Sequence, residues 1–283
     1  MPIQYQEKIK KMFTESGNNF HYKAINYFRD NGWEVRVSPY YTDSFSDKPR
    51  EVDMLVERSF EVNNKFGAFM GMIYVQFLIE CKYMKQGTTI AFWFDDINKG
   101  QAFKLVEKKI KEVHYRENNI SYQPFHYLTG DNLKVAKLYN SSKDNSSNGD
   151  VFYTALSQVL NASQSLSTGV ISLNREQSNL HTLRYNLILC SNFDNMHKVY
   201  KNDTELISKI EDNFLLEVNY TRVSKEGNSS DEYFLVDVVD FNKIDDFVEK
   251  IIKEDIATVK NILKDQHARS DRKDFYGANY HSD

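Results

Sequence analysis

Residues 77–85 have the sequence FLIECKYMK, in which an apolar segment ends in charged side chains. Around it, from about Met72 to Tyr83, side chains of opposite character alternate with the two-residue period of a β-strand. One face carries Ile73, Val75, Phe77, Ile79 and Cys81, and the other carries Tyr74, Gln76, Leu78, Glu80 and Lys82. The pattern predicts a strand with one core face, and it places Glu80 and Lys82 on the opposite face.

The segments before this strand predict a helix and two further strands. Residues 18–31 form one apolar helical stripe that ends before Gly32, and the segments WEVRVSPYY and REVDMLVER alternate like half-buried strands. Later segments predict helices over 99–116, 151–163 and 243–264 and strands over 183–191, 213–223 and 232–241. This order predicts an α/β protein with a mixed sheet flanked by helices.

Composition limits the classes of protein that this chain can belong to. The 283 residues carry a net charge of −4, which argues against a protein that coats nucleic acid along its whole surface. No apolar run is long enough for a membrane helix, and the N-terminal residues show no secretory signal. The two cysteines fit no zinc or disulfide pattern, so we expect a cytoplasmic protein without a membrane partner.

Three polar side chains of neighbouring strands are the candidate site. Asp53 lies on the non-core face of REVDMLVER, and Glu80 and Lys82 lie on the non-core face of the next strand. Residues two apart on a strand are ~6.6 Å apart, close enough to share a bound metal and a phosphate. Two carboxylates suit Mg²⁺, and a lysine beside them can orient water and stabilise developing charge. The simpler interpretation is an exposed cross-strand ion pair that contributes ~0–1 kcal/mol to stability.

These residues, with the order of elements around them, resemble the PD-(D/E)XK family of restriction-endonuclease-like nucleases. The resemblance covers roughly residues 15–191 and implies a helix, three strands, a helix and a further strand. Val52 stands where the name of the family has proline, a position at which proline is often absent.

The resemblance also implies roles for individual residues. Asp53, Glu80 and the backbone carbonyl of Cys81 would bind Mg²⁺ or Mn²⁺, and Lys82 would position the attacking water. Many members add a glutamate from the first helix, for which Glu15 is the nearest candidate and His21 the next. Nucleic-acid contacts are predicted for Lys48, Arg50, Lys85 and Gln158. The alternative interpretation of each is loop packing or a position on a solvated surface.

We therefore predict one restriction-endonuclease-like domain over residues 1–265. It has an insertion near 95–150, a C-terminal strand and helix extension over 192–265, and a disordered polar tail over 266–283. The predicted function is metal-dependent cleavage of phosphodiester bonds, with DNA as the expected partner. A homodimer fits as well, because many nucleases of this fold cut both strands as dimers.

Two other interpretations remain open from the sequence. The chain would be a catalytically inactive nucleic-acid-binding or scaffold protein of the same fold, or an unrelated α/β domain that binds a partner protein. In the second case the three polar residues would not converge.

Overall fold

The structure is a computed structural model that describes residues 3–14, 17–43, 47–84, 87–112, 125–130, 132–143, 151–166, 180–200, 203–223 and 229–265. Within these ranges the α-helices are α1 (Ile3–Thr14), α2 (Gly17–Asp30), α3 (Lys99–Glu112), α4 (Val151–Ser165) and α5 (Ile244–Lys250). After α5 the helix continues as a π-helical segment, Ile251–Ile256, and as α-helix over 257–265. Short 3₁₀ helices cover His126–Leu128 and Phe241–Lys243. Among the described helices, none combines the length and apolar character that crossing a membrane requires.

Most of the described strands belong to one mixed sheet. The strands are β1 (Glu34–Val37), β2 (Tyr40–Thr42), β3 (Pro49–Glu51), β4 (Met54–Asn63), β5 (Phe69–Lys82), β6 (Thr88–Asp96), β7 (Lys134–Lys143), β8 (Leu180–Cys190), β9 (Met196–Tyr200), β10 (Asp203–Lys209), β11 (Phe214–Val223) and β12 (Ser229–Asp240). The large sheet has the order β1-β4-β5-β8-β12-β11-β7-β6-β9-β10, and β2 and β3 form a separate hairpin. The chain is thus a mixed α/β protein, as the sequence predicted.

The first half of the sheet is built around β5. Strands β1, β4 and β5 pair in an antiparallel manner, whereas β8 pairs parallel to β5 and β12 pairs parallel to β8. The chain reaches β8 after α4, which packs on β5 and β8. The carboxyl ends of three adjacent parallel strands therefore lie together at one end of the sheet.

Both faces are buried where the start of β4 pairs with the second half of β5, which corrects the expectation of half-buried strands. Met54, Val56 and Phe77 pack in one core with α2 and the C-terminal helix. Leu55 and Leu78, on the other face, pack in a second core with α4. The predicted non-core face is therefore interior, because α4 covers it, and polar residues on it are enclosed.

The structure also differs from the sequence prediction beyond β5. Strand β6, just before the region predicted as an insertion, and strand β7 within that region both join the large sheet, and the predicted helix of the region is described here as α3. Helix α1 and strands β9 and β10 had no prediction. The tail 266–283 lies outside the described residues.

Candidate functional site

Strand register brings Asp53 and Glu80 together. Met54 pairs with Ile79, so the preceding Asp53 lies opposite the following Glu80. Strand β4 begins only at Met54, and Asp53 occupies the turn that leads into it. The residues that carry the two carboxylates therefore lie across from each other at the end of β5.

Backbone contacts fix the orientation of Asp53. Its Oδ2 accepts a hydrogen bond of 2.7 Å from the backbone N–H of Cys81. Its carbonyl oxygen accepts from the N–H of Ser38 at 2.9 Å and lies 3.1 Å from His21 Nε2 on α2. His21 therefore contacts the backbone of Asp53 and holds the turn.

The Cys81 carbonyl is suitably placed to be the third ligand that the resemblance implies. In a strand, the N–H and C=O of one residue project to the same side. Because the N–H of Cys81 points to the Asp53 carboxylate, its carbonyl projects toward the same strand-free space beside the start of β4.

Glu80 is the most enclosed member of the site. The residue is 1% exposed, and its Oε1 has no hydrogen-bond partner among the described residues. Leaving a buried carboxylate oxygen unpaired costs free energy, because the charge has lost its hydration. A partner that supplies positive charge at Oε1 would remove this cost.

Lys82 supplies a nearby positive charge. Its Nζ lies 3.7 Å from Glu80 Oε2, within ion-pair range but beyond an ordinary hydrogen bond. The side chain is 16% exposed, so it reaches the surface while Glu80 lies beneath. The backbone carbonyl of Lys82 accepts from the N–H of Ser191, which ties this end of β5 to β8.

The electrostatics of Glu80 follow from this burial. The pKa of Glu80 is raised to about 8, because burial and the negative charge of Asp53 together outweigh the lowering effect of Lys82 and of the backbone N–H of Asp53. In this position the negative charge of ionised Glu80 is not fully offset by the neighbouring cation and hydrogen-bond donors.

The β2–β3 hairpin and α4 cover the site. Tyr41 donates a hydrogen bond from its hydroxyl to the backbone carbonyl of Gln158 on α4, at 3.3 Å. Gln158 is half-buried here, and this contact uses its backbone. Lys48 is exposed in the loop between β2 and β3, and Arg50 lies on β3.

Two predicted residues cannot be placed. Glu15 and Lys85 lie outside the described residues. Within the described ranges, no group of three or more His, Cys, Asp or Glu side chains is arranged to hold a metal. Asp53 and Glu80 would provide only two side-chain ligands, so a complete metal site would depend on the Cys81 carbonyl, on a residue such as Glu15 or on water.

One acidic residue at this end of the sheet, Asp240, carried no prediction from the sequence. Lys82 pairs with Cys190, and Cys190 pairs with Asp240, so these residues form one row across β5, β8 and β12. Asp240 is mostly buried and caps the following turn by accepting from the N–H of Asn242. The position of Asp240 at the end of an apolar strand can be recognised in the sequence, whereas the pairing of β12 with β8, which brings it into this row, cannot.

Comparison of the chain with protein-family models, with curated proteins and with solved structures finds no match.

Proposed function

We propose that this protein is a metal-dependent nuclease of the PD-(D/E)XK type that hydrolyses phosphodiester bonds, with DNA as substrate. The observation that carries the proposal is Glu80, a buried carboxylate with one oxygen unpartnered among the described residues, enclosed beside Asp53 and Lys82. An ion pair that served stability alone would be expected to have a hydrogen-bond donor at both oxygens of the buried carboxylate, because a donor at Oε1 would stabilise it further.

The order and pairing of the elements support the same proposal. Helix α2, the antiparallel strands β1, β4 and β5, helix α4 and the parallel strand β8 follow one another as the resemblance implies, apart from the segment between β5 and α4. In this arrangement Asp53 and Glu80 would be the metal-binding carboxylates at the end of β5.

The residues present fit a hard divalent cation such as Mg²⁺ or Mn²⁺. Asp53, Glu80 and the carbonyl of Cys81 offer oxygen ligands, which such cations prefer. When bound, the cation would polarise the phosphoryl oxygens and acidify water.

The remaining chemistry falls to Lys82 and to the shape of the site. Lys82 Nζ would donate a hydrogen bond to the attacking water or to a non-bridging phosphate oxygen, and so stabilise the charge that develops there. Asp53, held by Cys81 and by the turn at Ser38, would keep its carboxylate in one orientation. The half-buried Asp53 and Lys82 give the substrate its access, while Glu80 lies behind them.

A cleavage assay tests the proposal. Plasmid DNA, linear DNA and RNA are incubated with the protein in Mg²⁺, in Mn²⁺ and in EDTA. We expect cleavage that needs the metal and that falls at least 100-fold in Asp53→Ala and Lys82→Ala, because each removes a group that acts on the reacting phosphate.

A matched control is available elsewhere in the sheet. Lys137 and Glu217 form a half-buried lysine–glutamate pair at 2.6 Å on β7 and β11. Lys137→Ala should leave cleavage unchanged. Cleavage by Asp53→Ala and Lys82→Ala at the parent's rate would refute the assigned roles. Retention of DNA without any cutting would support the inactive nucleic-acid-binding protein instead, and neither binding nor cutting would support the partner-binding domain.

A further inference from the structure

The β2–β3 hairpin presents one face to the candidate site. Tyr41 pairs with Arg50 across the hairpin, so their side chains share a face, whereas Tyr40 and Glu51 share the other. Tyr41 packs against Ala162 of α4. It also lies within electrostatic reach of both Arg50 and Glu80. Arg50 therefore lies on the side of the hairpin that faces the candidate site.

Arg50 is held by a buried carboxylate. Its Nε lies 2.6 Å from Asp43 Oδ2, and the side chains of Arg50 and Asp43 are 46% and 5% exposed. Asp43 is itself fixed by the loop, since its N–H donates to the carbonyl of Lys48 and its carbonyl accepts from the N–H of Asp47. The half-exposed guanidinium is thus anchored through one nitrogen to an enclosed partner.

A second arginine, Arg36 on β1 of the large sheet, shows what a purely structural pair looks like. Arg36 donates to Glu57 Oε2 from Nε at 3.2 Å and from Nη2 at 2.8 Å. Its exposure of 54% and the 5% exposure of Glu57 match those of the other pair. Arg50 differs because only its Nε is engaged with a described residue, which leaves the Nη groups for another acceptor.

We propose that Arg50 binds a phosphate of the nucleic-acid strand next to the cleaved bond, and that Asp43 is the positioning residue that aims its guanidinium. The planar guanidinium matches the oxygens of a phosphate and donates two hydrogen bonds to it in parallel. A fixed orientation avoids the entropy cost of ordering a long side chain on binding. This inference rests on the proposed function, because it assigns a substrate contact to the same site.

The experiment measures substrate binding and cleavage separately. Binding of a fluorescent 30-base-pair duplex and of the corresponding single strand is followed by anisotropy in a Glu80→Gln background, over a range of salt concentrations. In this background we expect Arg50→Ala to raise Kd at least tenfold and to lower the slope of log K against log salt by about one. Arg50→Lys should keep the charge and so keep the slope, with a weaker affinity.

In the cleaving parent, the same substitutions should act on substrate affinity. Arg50→Ala should raise KM more than it lowers kcat, and Asp43→Asn should raise KM by a smaller factor. Arg36→Ala is the matched control, because it breaks an equivalent ion pair whose partner Glu57 lies ~13 Å along β4 from Asp53. It should leave Kd, the salt slope and KM unchanged, while urea unfolding shows that all the variants are folded.

The possible outcomes separate this inference from the proposed function. If the parent cuts and Arg50→Ala keeps both the parent's KM and its salt slope, the phosphate contact is wrong and the nuclease proposal stands. An equal loss of binding in Arg36→Ala would also overturn the inference, since the effect would then be general to the surface. A parent that neither binds nor cuts would overturn both.

Discussion

Two clusters of ionisable side chains lie on opposite faces of the same sheet, and they are paired to different degrees. At the end of β5, Glu80 is buried with one oxygen unpartnered within the described part of the chain, and Lys82 stands 3.7 Å from the other oxygen. The second cluster, which we name the core network, consists of His126, Tyr127, Tyr185, Asp237 and Asp255. Glu80 aligns through Ile188 with Val238, so the adjacent Asp237 projects to the opposite face.

The core network is extensively hydrogen-bonded. His126 Nδ1 lies 2.6 Å from Asp255 Oδ2, and His126 Nε2 lies 3.2 Å from Asp237 Oδ1. The backbone N–H of His126 donates to Asp255 at 2.8 Å, and the Tyr185 hydroxyl donates to the same carboxylate at 2.8 Å. Asp255 lies in the π-helical segment Ile251–Ile256, where the wider turn changes the direction of its side chain relative to an α-helix.

The comparison shows how a buried charge can serve stability or chemistry. In the core network, burial alone would lower the pKa of His126, but Asp255 and Asp237 raise it to about 9, so the imidazolium is the stable form. At Glu80 burial is the dominant cause of the raised pKa, and the one neighbouring cation does not offset it. A buried cluster whose polar atoms all have partners stabilises the fold, whereas a buried cluster with an unpartnered atom can bind a ligand there.

The largest expected effect would come from breaking the core network. Asp255→Asn removes the negative charge beside a buried imidazolium, so we expect the free energy of unfolding to fall by about 3–5 kcal/mol. Urea denaturation measures it, with the exposed α5 residue Asp246 changed to Asn as the control. A loss below about 1 kcal/mol would show that the core network contributes little to stability.

Substitution of Glu80 is expected to lower activity and to raise stability at alkaline pH. Glu80→Gln should lower cleavage at least 100-fold, equivalent to about 3 kcal/mol, because it removes a metal-binding charge. In metal-free buffer it should make the fold more stable at alkaline pH. The pKa of the folded state is raised to about 8, so the contribution of Glu80 to stability is lost as pH rises from 4.5 through 8, and glutamine does not titrate.

Glu217→Gln supplies the contrasting control for this prediction. Glu217 is buried and well bonded, since it accepts from the N–H of Asn98 and from the Tyr233 hydroxyl and pairs with Lys137. Its substitution should lower stability and leave cleavage unchanged. If Glu80→Gln and Glu217→Gln had the same effects on both measurements, the distinction between the two kinds of cluster would fail.

A smaller change in the free energy of unfolding is expected from the pH dependence of His126. The pKa of His126 is about 9 in the folded protein and 6.5 for an ordinary histidine, so its stabilisation is complete below pH 6.5 and is lost as pH rises through 9. The difference in unfolding free energy between the parent and His126→Gln should therefore shrink by up to about 3 kcal/mol between pH 6 and pH 10. Denaturation of the parent and of His126→Gln at each pH measures this difference. A constant difference would mean that His126 is not charged in the fold.

Local pattern predicted the part of the fold that carries the candidate site. The helix before β1, the long β5, helix α4 and strand β8 were all recognisable, because each has a clear apolar periodicity. Strands β6 and β7 were not assigned as strands, and their local pattern does not indicate that they join the same sheet. The expected exposure of the polar face of β5 was wrong, since covering by α4 is a property of the packed chain.

Although the pairing of β4 with β5 was needed to bring Asp53 opposite Glu80, the sequence by itself determined that Glu80 and Lys82 would share one face of β5, because side-chain direction alternates with each residue of a strand. Only the tertiary structure decided that this face is enclosed, that Asp43 anchors Arg50 beside it, and that Asp240 ends the same row. It also brought His126 to Asp255, 129 residues away. Contacts of this kind depend on how distant segments pack, and local side-chain periodicity carries no information about which segments will meet.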